Sequence, residues 1–513
     1  MASLDDTPVL IGVGEASERI DAADYEALSP ANLASAAARA AIADAGGRDL
    51  AKHIDVIAAI RQFEVSGANA KPPFGAADNF PRAIGKRIGA DPKRAILEVV
   101  GGQGPQHLVN EFAHAIAAGE VNMVLLVGSE AISTVRHLQS KGETRDWSEA
   151  IGGELENRGF GMDGLVTMDL IGHGARSPIQ LYALFENARR ARLGMDRKSY
   201  ALKMGELFAP FTRVASGNPH AMSRDVYSAD ELATVTGPNR LTADPFPRRM
   251  VARDQANQGA AVLMTSVKQA RALGVPAEKM VFLYGGADVK ERSVIARRDL
   301  SASPAAIAAC KQALGAAKLS TADIGVFDLY SCFPVAVFNI CDGLGIAPGD
   351  PRGLTVTGGL PFFGGAGNNY SMHAIASMVR ALRGKPEAAG LVGANGGYLS
   401  KYSVGVYGAR AKPFAPFDSR ALQAEIDAWP APQLDPAFAG QARIETYTID
   451  YSGLAPRGVI IARTPGDARL VAMAPAKSPL VQEMIANDPL RASVDVAPDG
   501  AGHTIAHALA PAA

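Results

Sequence analysis

Pro8-Val-Leu-Ile-Gly-Val-Gly-Glu15 is an apolar run that contains closely spaced glycines, and Met280-Val-Phe-Leu-Tyr-Gly-Gly-Ala-Asp288 repeats this pattern later in the chain. Apolar runs of this length predict buried strands. Each run is followed by a predicted helix that begins at a Ser-Pro pair, Ser29-Pro30 and Ser303-Pro304, with serine as the N-cap and proline at the first helical position. The shared order of strand and helix predicts that the chain is duplicated.

The repeat continues through the rest of each half. A short β-branched strand comes next, Ile54-Asp-Val-Ile57 in the first half and Ile324-Gly-Val-Phe327 in the second. Further matches in the same serial order are Val99-Val-Gly-Gly102 with Val356-Thr-Gly-Gly359, the His-Ala-Ile-Ala segments that start at His114 and His373, and the strand ends Val127-Gly128 and Val392-Gly393. Strands that alternate with helices are typical of α/β proteins whose sheet is covered on both faces. We therefore predict two similar α/β halves packed together.

The composition is that of a folded protein without a strong charge of either sign. The chain has 513 residues, of which 48% are hydrophobic and 20% charged, and 51 basic against 52 acidic residues give a net charge of −1. This balance predicts no nucleic-acid partner and no binding to a membrane surface. Three cysteines are too few for a disulfide framework or an all-cysteine zinc site. Because we find no secretory signal and no apolar run of membrane length, we expect a cytoplasmic protein.

The sequence divides into four predicted regions. They are an N-terminal half over 1–265, a C-terminal half over 266–411, a Pro-rich linker over 412–440 and an additional β-rich domain over 441–513. An insertion in the first half, about 131–250, is too long for a plain loop and predicts a helical subdomain or lid. Within it, Arg189-Arg190-Ala-Arg192 indicates either a solvated basic helix face or a contact to phosphate.

Four loops of the duplicated body are the expected ligand-binding places. They are Gly101–Gln106, Asp328–Pro334, Gly358–Asn369 and Gly393–Tyr398. In α/β sheets ligands bind beyond the carboxyl ends of strands, where helix N-termini point. The glycines of the first loop allow a ligand close to the backbone, although a tight turn would explain them equally well. Neither a P-loop nor a Gly-x-Gly-x-x-Gly pattern is present in that loop.

At these loops the sequence resembles the thiolase superfamily, over about residues 7–410. Ile11-Gly-Val-Gly14 is similar to the family's first strand, and Arg253–Ala261 is similar to its Asp-Gly-Ala-Ala strand. Asp328-Leu-Tyr-Ser-Cys-Phe333 resembles the Glu-Leu-His-Asp-Cys-Phe block of sterol carrier protein 2 thiolases, and the stretch Asn368–Ile375 with the C-terminal β region resembles thiolase-like protein type 1. The resemblance implies a layered αβαβα fold of two similar halves.

The resemblance also implies where chemistry is expected. Thiolases act on a carbon–carbon bond next to a coenzyme A thioester, with a nucleophilic cysteine, a second cysteine as acid/base and an oxyanion hole built partly from histidine. The nucleophile's position corresponds to Gly102 or Gln103, depending on a one-residue gap, and the second cysteine to Ala394. The family's histidines correspond to Tyr330 and to a place near Gly365. Since all of these positions depart from the family's pattern, ordinary condensation is not expected.

Other groups remain as candidates for catalysis. Tyr330 either exchanges a proton with an enolate-like oxygen, as in aldolase-like members with tyrosine in this block, or caps the crevice by packing. His373 lies on its helix opposite the apolar side chains and either orients a thioester oxygen or is a polar partner of a nearby loop. Asn368 and His107 are further candidates, and Cys332 is expected to pack. The expected substrate-binding residues are Gly102, Gln103, Gly104, Gly365, Asn395 and Gly396, and no metal site is predicted.

Three functions are left open by these residues. The first is an acyl-CoA-binding protein of the acyltransferase superfamily, in lipid metabolism, with unorthodox or absent condensing activity. The second is a retro-aldol carbon–carbon lyase that acts on a β-hydroxyacyl-CoA and uses Tyr330. The third is a non-catalytic binding or assembly protein. We expect no covalently bound cofactor, a coenzyme A thioester as ligand and, from the thiolase resemblance, a homodimer.

Overall fold

The computed structural model describes residues 3–510 and confirms the duplicated α/β fold. The first half contains β1 (Pro8–Ser17), α1 (Pro30–Ala45), β2 (Val56–Ala59), α2 (Phe80–Ile88), β3 (Arg94–Leu97), α3 (Gly104–Ala117) and β4 (Met123–Ala131). The insertion that follows contains α4 (Ile132–Ser140), β5 (Glu156–Asn157), α5 (Met168–Gly172), α6 (Pro178–Leu193), α7 (Arg197–Gly217), α8 (Ala229–Ala233), β6 (Leu241–Ala243) and β7 (Phe246–Pro247).

The chain then completes the first half and builds the second. These elements are β8 (Asn257–Ser266), α9 (Val267–Ala272), β9 (Val281–Lys290), α10 (Pro304–Ala317), β10 (Ile324–Leu329), α11 (Pro334–Leu344), α12 (Tyr370–Gly384), β11 (Ala389–Gly396) and β12 (Lys401–Gly408). The C-terminal elements are α13 (Arg420–Ala428), β13 (Gly440–Asp450), β14 (Arg457–Arg463), β15 (Arg469–Ala474), α14 (Pro479–Ala486), β16 (Ser493–Pro498) and β17 (Thr504–Ala510).

One sheet of ten strands runs through both halves, in the order β10-β11-β12-β9-β1-β8-β4-β2-β3-β5. The first half supplies β2-β4-β8-β1, and the second half repeats this arrangement as β10-β11-β12-β9. In each half the first pair is parallel and the next two pairs are antiparallel. The halves meet where β1 and β9 pair antiparallel, with Val9 opposite Phe282 and Leu10 opposite Val281.

Glycines bring one helix of each half close to the sheet. In β1, a side chain at Gly12 or Gly14 would collide with the backbone of α1. Gly285 in β9 has the same relation to α10, at the carbonyl of Ala313. The glycines of these two strands therefore allow close helix–sheet packing, which explains the repeat from which the duplication was predicted.

The C-terminal strands form a second sheet that closes on itself. Its order is β14-β15-β17-β16-β13-β6-β7, and β13 also pairs with β14, so that five strands make a barrel. The insertion extends this sheet, because Ala243 of β6 lies opposite Asp450 of β13. The insertion and the C-terminal strands thus share one sheet.

The Pro-rich stretch predicted as a linker contains a helix, α13. Its side chain Ile426 is fully buried, because the helix packs one apolar side against the body. The prolines predicted where this stretch begins and ends, but they did not predict the helix between them. Within residues 3–510, none of the helices has the length and apolar character needed to cross a membrane.

Candidate active site

A cavity of about 800 Å³ is lined by both halves and by the insertion. All four loops that were expected to bind a ligand contribute to its wall. Of the residues predicted from the sequence, the lining includes Gly102, Tyr330, Cys332, Gly365, Asn368, Asn395 and Gly396. The structure therefore brings together the glycine-rich loop before α3 and the aromatic loop after β10.

Tyr330 fills the space beside Gly102. A Cβ atom added at Gly102 would lie 2.5 Å from Cζ of Tyr330, 2.7 Å from the carbonyl oxygen of Asn395 and still closer to the Tyr330 hydroxyl. The carbonyl of Gly102 accepts a hydrogen bond of 2.5 Å from Ser371 Oγ, which fixes the loop. A phenol hydroxyl thus stands where a side chain at Gly102 would project.

The hydroxyl of Tyr330 is available to a ligand. The backbone N–H of Tyr330 donates to Gly393 at 3.1 Å, and its ring meets the ring of Tyr370 edge-on at 5.4 Å. Its hydroxyl makes no hydrogen bond to any residue between 3 and 510. Burial raises the pKa of Tyr330 far above the usual tyrosine range. The side chain is therefore a neutral phenol that can donate a hydrogen bond into the cavity.

Tyr182 is a site residue that the sequence analysis missed. It lies on α6 of the insertion, lines the cavity, and its hydroxyl accepts from Asn395 Nδ2 at 2.7 Å. The same amide lies 3.7 Å from the sulfur of Cys332, and the ring of Tyr182 stacks on Phe333 at 4.4 Å. Burial raises the pKa of the Cys332 thiol to about 12. Cys332 is thus a neutral, packed thiol, as expected from the sequence.

Asn368 holds the glycine-rich loop in place. Its Oδ1 accepts from the backbone N–H of Gly101 at 2.9 Å, and its Nδ2 donates to the carbonyl of Arg61 at 2.7 Å and to Ser66 Oγ at 3.2 Å. Both ends of the amide are therefore engaged within the protein. This geometry favours a positioning role for Asn368 rather than direct contact with a reacting group.

His373, which could orient a thioester oxygen or be a polar partner of a nearby loop, does not belong to the wall of this cavity. The residue is fully buried. Its Nδ1 lies 2.6 Å from Glu15 Oε1, and Arg380 pairs with the other carboxylate oxygen. Burial raises the pKa of Glu15, but His373 and Arg380 outweigh it and hold that pKa at about 2. A carboxylate on β1 therefore gives Nδ1 of this histidine a partner inside the protein.

The other predicted residues lie around the cavity rather than in its lining. Gln103, the alternative nucleophile position, is buried with its side chain against Gly101 and Gly396. Gly104 begins α3, and Ala394 is buried within β11. Of the two positions that were predicted to correspond to the nucleophile, Gly102 lines the cavity and Gln103 does not.

His107 lies between three acidic groups at the start of α3. Its Nδ1 is 3.3 Å from Asp288, and its Nε2 is 3.7 Å from Glu111. Burial lowers the pKa of His107, but Asp288, Glu98 and Glu111 outweigh it and raise the pKa to about 9. Glu98, His107 and Glu111 are close enough to share a metal ion, but Arg158 already pairs with both glutamates. The arrangement indicates an ion-pair cluster.

This cluster predicts a pH-dependent stability. Because the pKa of His107 is raised from 6.5 to about 9, its contribution to the free energy of unfolding is complete below pH 6.5 and is lost as the pH rises through 9. We expect wild type to melt at a higher temperature than His107→Gln in mildly acid solution, and the difference to vanish above pH 9. His53→Gln, at an exposed histidine, is the control. A difference that persists unchanged at high pH would contradict the ion-pair role.

Three exposed or half-buried arginines line the cavity, together with Asp225 and Asp254. Arg248, Arg249 and Arg253 belong to its lining, and Arg249 lies over the ring of Tyr227 with 4.3 Å to the ring centre. Burial and the nearby charges of Arg19 and Arg248 lower the pKa of Arg253. Arg248, Arg249 and Arg253 have no ion pair in the described part of the chain. An anionic ligand group beside the arginines would relieve the repulsion between these side chains.

Comparison with known proteins shows which family this chain is similar to. A family model described as the thiolase-like protein type 1 additional C-terminal domain matches residues 421–501. A crystal structure of a monomeric SCP2-thiolase-like protein type 1 from Mycobacterium smegmatis is 44% identical, with a TM-score of 0.85, and the match covers 98% of this chain and 99% of that one. No curated protein matched the sequence.

Two more distant structures share the fold alone. An Ltp2-ChsH2(DUF35) aldolase is 18% identical with a TM-score of 0.59, over 79% of this chain and 98% of that one. The dimeric peroxisomal thiolase of Saccharomyces cerevisiae is 15% identical with a TM-score of 0.56, over 79% of this chain and 97% of that one.

Proposed function

Because the chain belongs to the thiolase superfamily, as a thiolase-like protein type 1, we propose that its cavity binds an acyl-CoA thioester. The observation that supports this proposal best is the layout of the cavity. Cationic side chains without ion pairs line it, and a glycine-rich loop at a helix N-terminus lies in its wall. This layout suits a ligand with phosphates at one end and a polar carbonyl at the other.

The arginines would hold the nucleotide end of coenzyme A. Arg248 and Arg253 offer guanidinium groups to phosphate oxygens, and a phosphate would offset the repulsion between them. Arg249 stacked on Tyr227 forms a flat surface on which an adenine ring would stack. These roles are part of the proposal.

The inner end of the cavity would hold the thioester. The Tyr330 hydroxyl and the backbone N–H of Gly102 both lack hydrogen-bond acceptors among residues 3–510, so both can donate to a thioester or enolate oxygen. Such fixed donors stabilise negative charge that develops on oxygen. No thiol stands at Gly102, and the pKa of Cys332 at about 12 leaves that sulfur protonated. We therefore propose that the chain does not catalyse thiolysis or condensation through a covalent acyl-cysteine.

Calorimetric titration with coenzyme A and acetyl-CoA tests the binding proposal. We expect wild type to bind both, and the Arg248→Ala/Arg253→Ala variant to bind about tenfold more weakly, since charge-assisted hydrogen bonds to phosphate are lost. Arg420→Ala, on exposed α13, is the matched control and should bind as wild type does. Absence of binding by wild type at millimolar ligand would refute the proposal, as would equal affinities for the two arginine variants.

A second candidate function is retro-aldol cleavage of a β-hydroxyacyl-CoA, which the free Tyr330 hydroxyl favours. In this reaction the bond between the α and β carbons breaks, and its electron pair passes into the thioester to form an enolate. The β-hydroxyl gives its proton to solvent as the β carbon becomes a carbonyl, and the enolate takes a proton from solvent at the α carbon. A neutral Tyr330 would donate to the enolate oxygen. We expect Tyr330→Phe to lower kcat about 100-fold with KM little changed, measured by the release of aldehyde or ketone. Acyl-CoA binding without any product would leave the non-catalytic function instead.

The homodimer implied by the resemblance is a separate proposal, and the sheet edge argues against it. β5, a strand of two residues, pairs with β3 at Ile96 and Leu97 and forms the edge of the sheet in the first half. Glu156 of β5 also pairs with Arg94 at 2.7 Å, and short, charged edge strands resist pairing between copies. The Mycobacterium smegmatis relative is described as monomeric. We therefore favour a monomer, and the cytoplasmic location stays a prediction.

A further inference from the structure

The C-terminal barrel has the topology of a ligand-binding module. Its five strands follow the order β13-β14-β15-β17-β16, and β16 returns to pair with β13. The helix α14 lies between the third and fourth strands. This arrangement matches an OB-fold, a small barrel that binds oligonucleotides or oligosaccharides on its second and third strands and on the adjoining loops.

In this chain the corresponding face is covered by the chain itself. Val459 and Ile461 of β14 and Val471 of β15 belong to the apolar core of the main body, whereas the barrel has its own separate core. Arg469 of β15 is fully buried and donates to the carbonyls of Ile295 at 2.7 Å and Arg297 at 2.5 Å. The face has no room for an external ligand, so the barrel's binding surface is used internally.

One of these internal contacts reaches the cavity through α6. Thr446 Oγ1 of β13 donates to the carbonyl of Leu184 at 2.6 Å. Tyr182 is two residues earlier on the same helix and presents its ring and hydroxyl to the cavity. On the cavity side α6 is held by Asn395, and on the opposite side it is held by the barrel. The position of Tyr182 therefore depends on both contacts.

A second contact reaches the cavity through Arg297. Its guanidinium donates to the carbonyl of Tyr398 at 2.9 Å and to Ser400 Oγ at 2.7 Å, while its own carbonyl accepts from Arg469 of the barrel. Tyr398 and Leu399 have φ values of 63° and 58°. Residues other than glycine rarely adopt this left-handed region, so two in succession need support from outside the turn. Tyr398 lines the cavity, so this supported turn is part of its wall.

We propose that the C-terminal barrel is an internal scaffold for the ligand cavity. It uses its OB-fold ligand face on β14 and β15, together with Thr446 of the neighbouring strand β13, to hold α6 and the Tyr398 turn. It thereby fixes the positions of Tyr182 and Tyr398 against the bound acyl group. This inference rests on the proposed acyl-CoA binding for its consequence, but its structural part can be tested separately. Tyr182 and Tyr398 act as wall residues that set the fit of the acyl group, and Thr446 and Arg469 are positioning residues.

The test compares two threonine-to-valine substitutions in the barrel of the full chain. Thr446→Val removes the hydrogen bond to α6, whereas Thr464→Val, in the turn after β14, removes a bond to the backbone N–H of Ala468. Hydrogen exchange should rise about tenfold in residues 178–184 for Thr446→Val only, the ratio that corresponds to one lost buried hydrogen bond. Affinity for acetyl-CoA should fall severalfold in the same variant, and Thr464→Val should leave both quantities unchanged.

Each outcome of this test decides one question. Equal exchange in α6 for the two variants would overturn the scaffold proposal, as would binding of a labelled oligothymidylate to the wild-type chain. Arg469→Lys, which keeps the charge but has fewer donors, should raise exchange in residues 397–400 and provides a second test if Thr446→Val is too mild. If wild type binds no coenzyme A, the proposed function fails, while the exchange measurements still test the scaffold.

Discussion

Replacing Gly102 with alanine is expected to lower the free energy of unfolding by about 3 kcal/mol, although the change adds a single methyl group. The new Cβ would lie 2.5 Å from Cζ of Tyr330 and 2.7 Å from the carbonyl oxygen of Asn395. Tyr330 cannot swing away easily, since it is buried against Tyr370. Gly102 does not have a positive φ, so the cost is steric rather than conformational. Chemical denaturation of the variant measures it.

A double-mutant cycle identifies Tyr330 as the obstacle. The Tyr330→Ala variant lacks the phenol, so adding Gly102→Ala to it should lower the free energy of unfolding by about 1 kcal/mol or less. The coupling energy between the two substitutions is then about 2 kcal/mol. Tyr330→Phe should not relieve the clash, because the ring carbon Cζ remains. Gly315→Ala is the control, since Gly315 is exposed in α10 with open space around it. Alanine at this position should raise the free energy of unfolding by about 0.5–1 kcal/mol.

The outcome of this cycle bears on how the site differs from a thiolase site. If Gly102→Ala leaves stability unchanged, Tyr330 moves freely and does not occupy the place of a nucleophile's side chain. If the coupling is as large as expected, a glycine at 102 and a tyrosine at 330 require one another. Placing a cysteine at position 102 would then need a smaller residue at 330 as well.

The duplication could be predicted from the sequence because its signals are local. The Ser-Pro pairs correctly predicted that α1 begins at Pro30 and α10 at Pro304. The apolar runs that end near Glu15 and Asp288 became β1 and β9, which join the two halves. Helix caps and strand patterns depend on neighbouring residues, so they are visible in sequence order.

The partners of the site residues could not be predicted in this way. The sequence left open whether His373 contacts a ligand or a nearby loop, because its partner Glu15 is 358 residues away in the chain. Tyr182 was missed because the sequence pattern of an aromatic residue in an apolar helix is the same whether the side chain faces a core or a cavity. Only the packing of α6 between the barrel and Asn395 shows which it is.

Tyr447 connects the barrel to the insertion. We expect the removal of its hydroxyl oxygen to lower the free energy of unfolding more than the removal of any other single atom of the barrel. Its hydroxyl accepts from Arg197 at 2.7 Å and from Arg190 at 3.3 Å, and it lies 3.2 Å from both Asp244 and Asp488. Arg190 is fully buried, and Asp244 is nearly so. Tyr447→Phe would remove one acceptor from each of Arg190 and Arg197, which keep their ion pairs with Asp488 and Asp244, so we expect a cost of about 2 kcal/mol.

The matched control lies on the same chain segment. Tyr451→Phe removes a hydroxyl that has no hydrogen bond to another residue of the described chain, so the free energy of unfolding should change by less than about 0.5 kcal/mol. Equal stabilities for the two phenylalanine variants would show that the buried cluster does not join the barrel to the insertion.

Removing residues 441–513 should go further and prevent the remaining chain from folding. The deletion would expose the apolar surface that Val459, Ile461 and Val471 cover, and it would remove β13, which pairs with β6 at Asp450 and Ala243. It would also leave Arg190 without Asp488, and breaking one partner from a buried ion pair alone costs about 3–5 kcal/mol. A domain of this size contributes a large share of the free energy of unfolding, which is typically about 5–15 kcal/mol for a whole protein. A truncated chain that melts cooperatively near the wild-type temperature would show that the barrel is a separate appendage, whereas insoluble or molten product is the result that its buried contacts require.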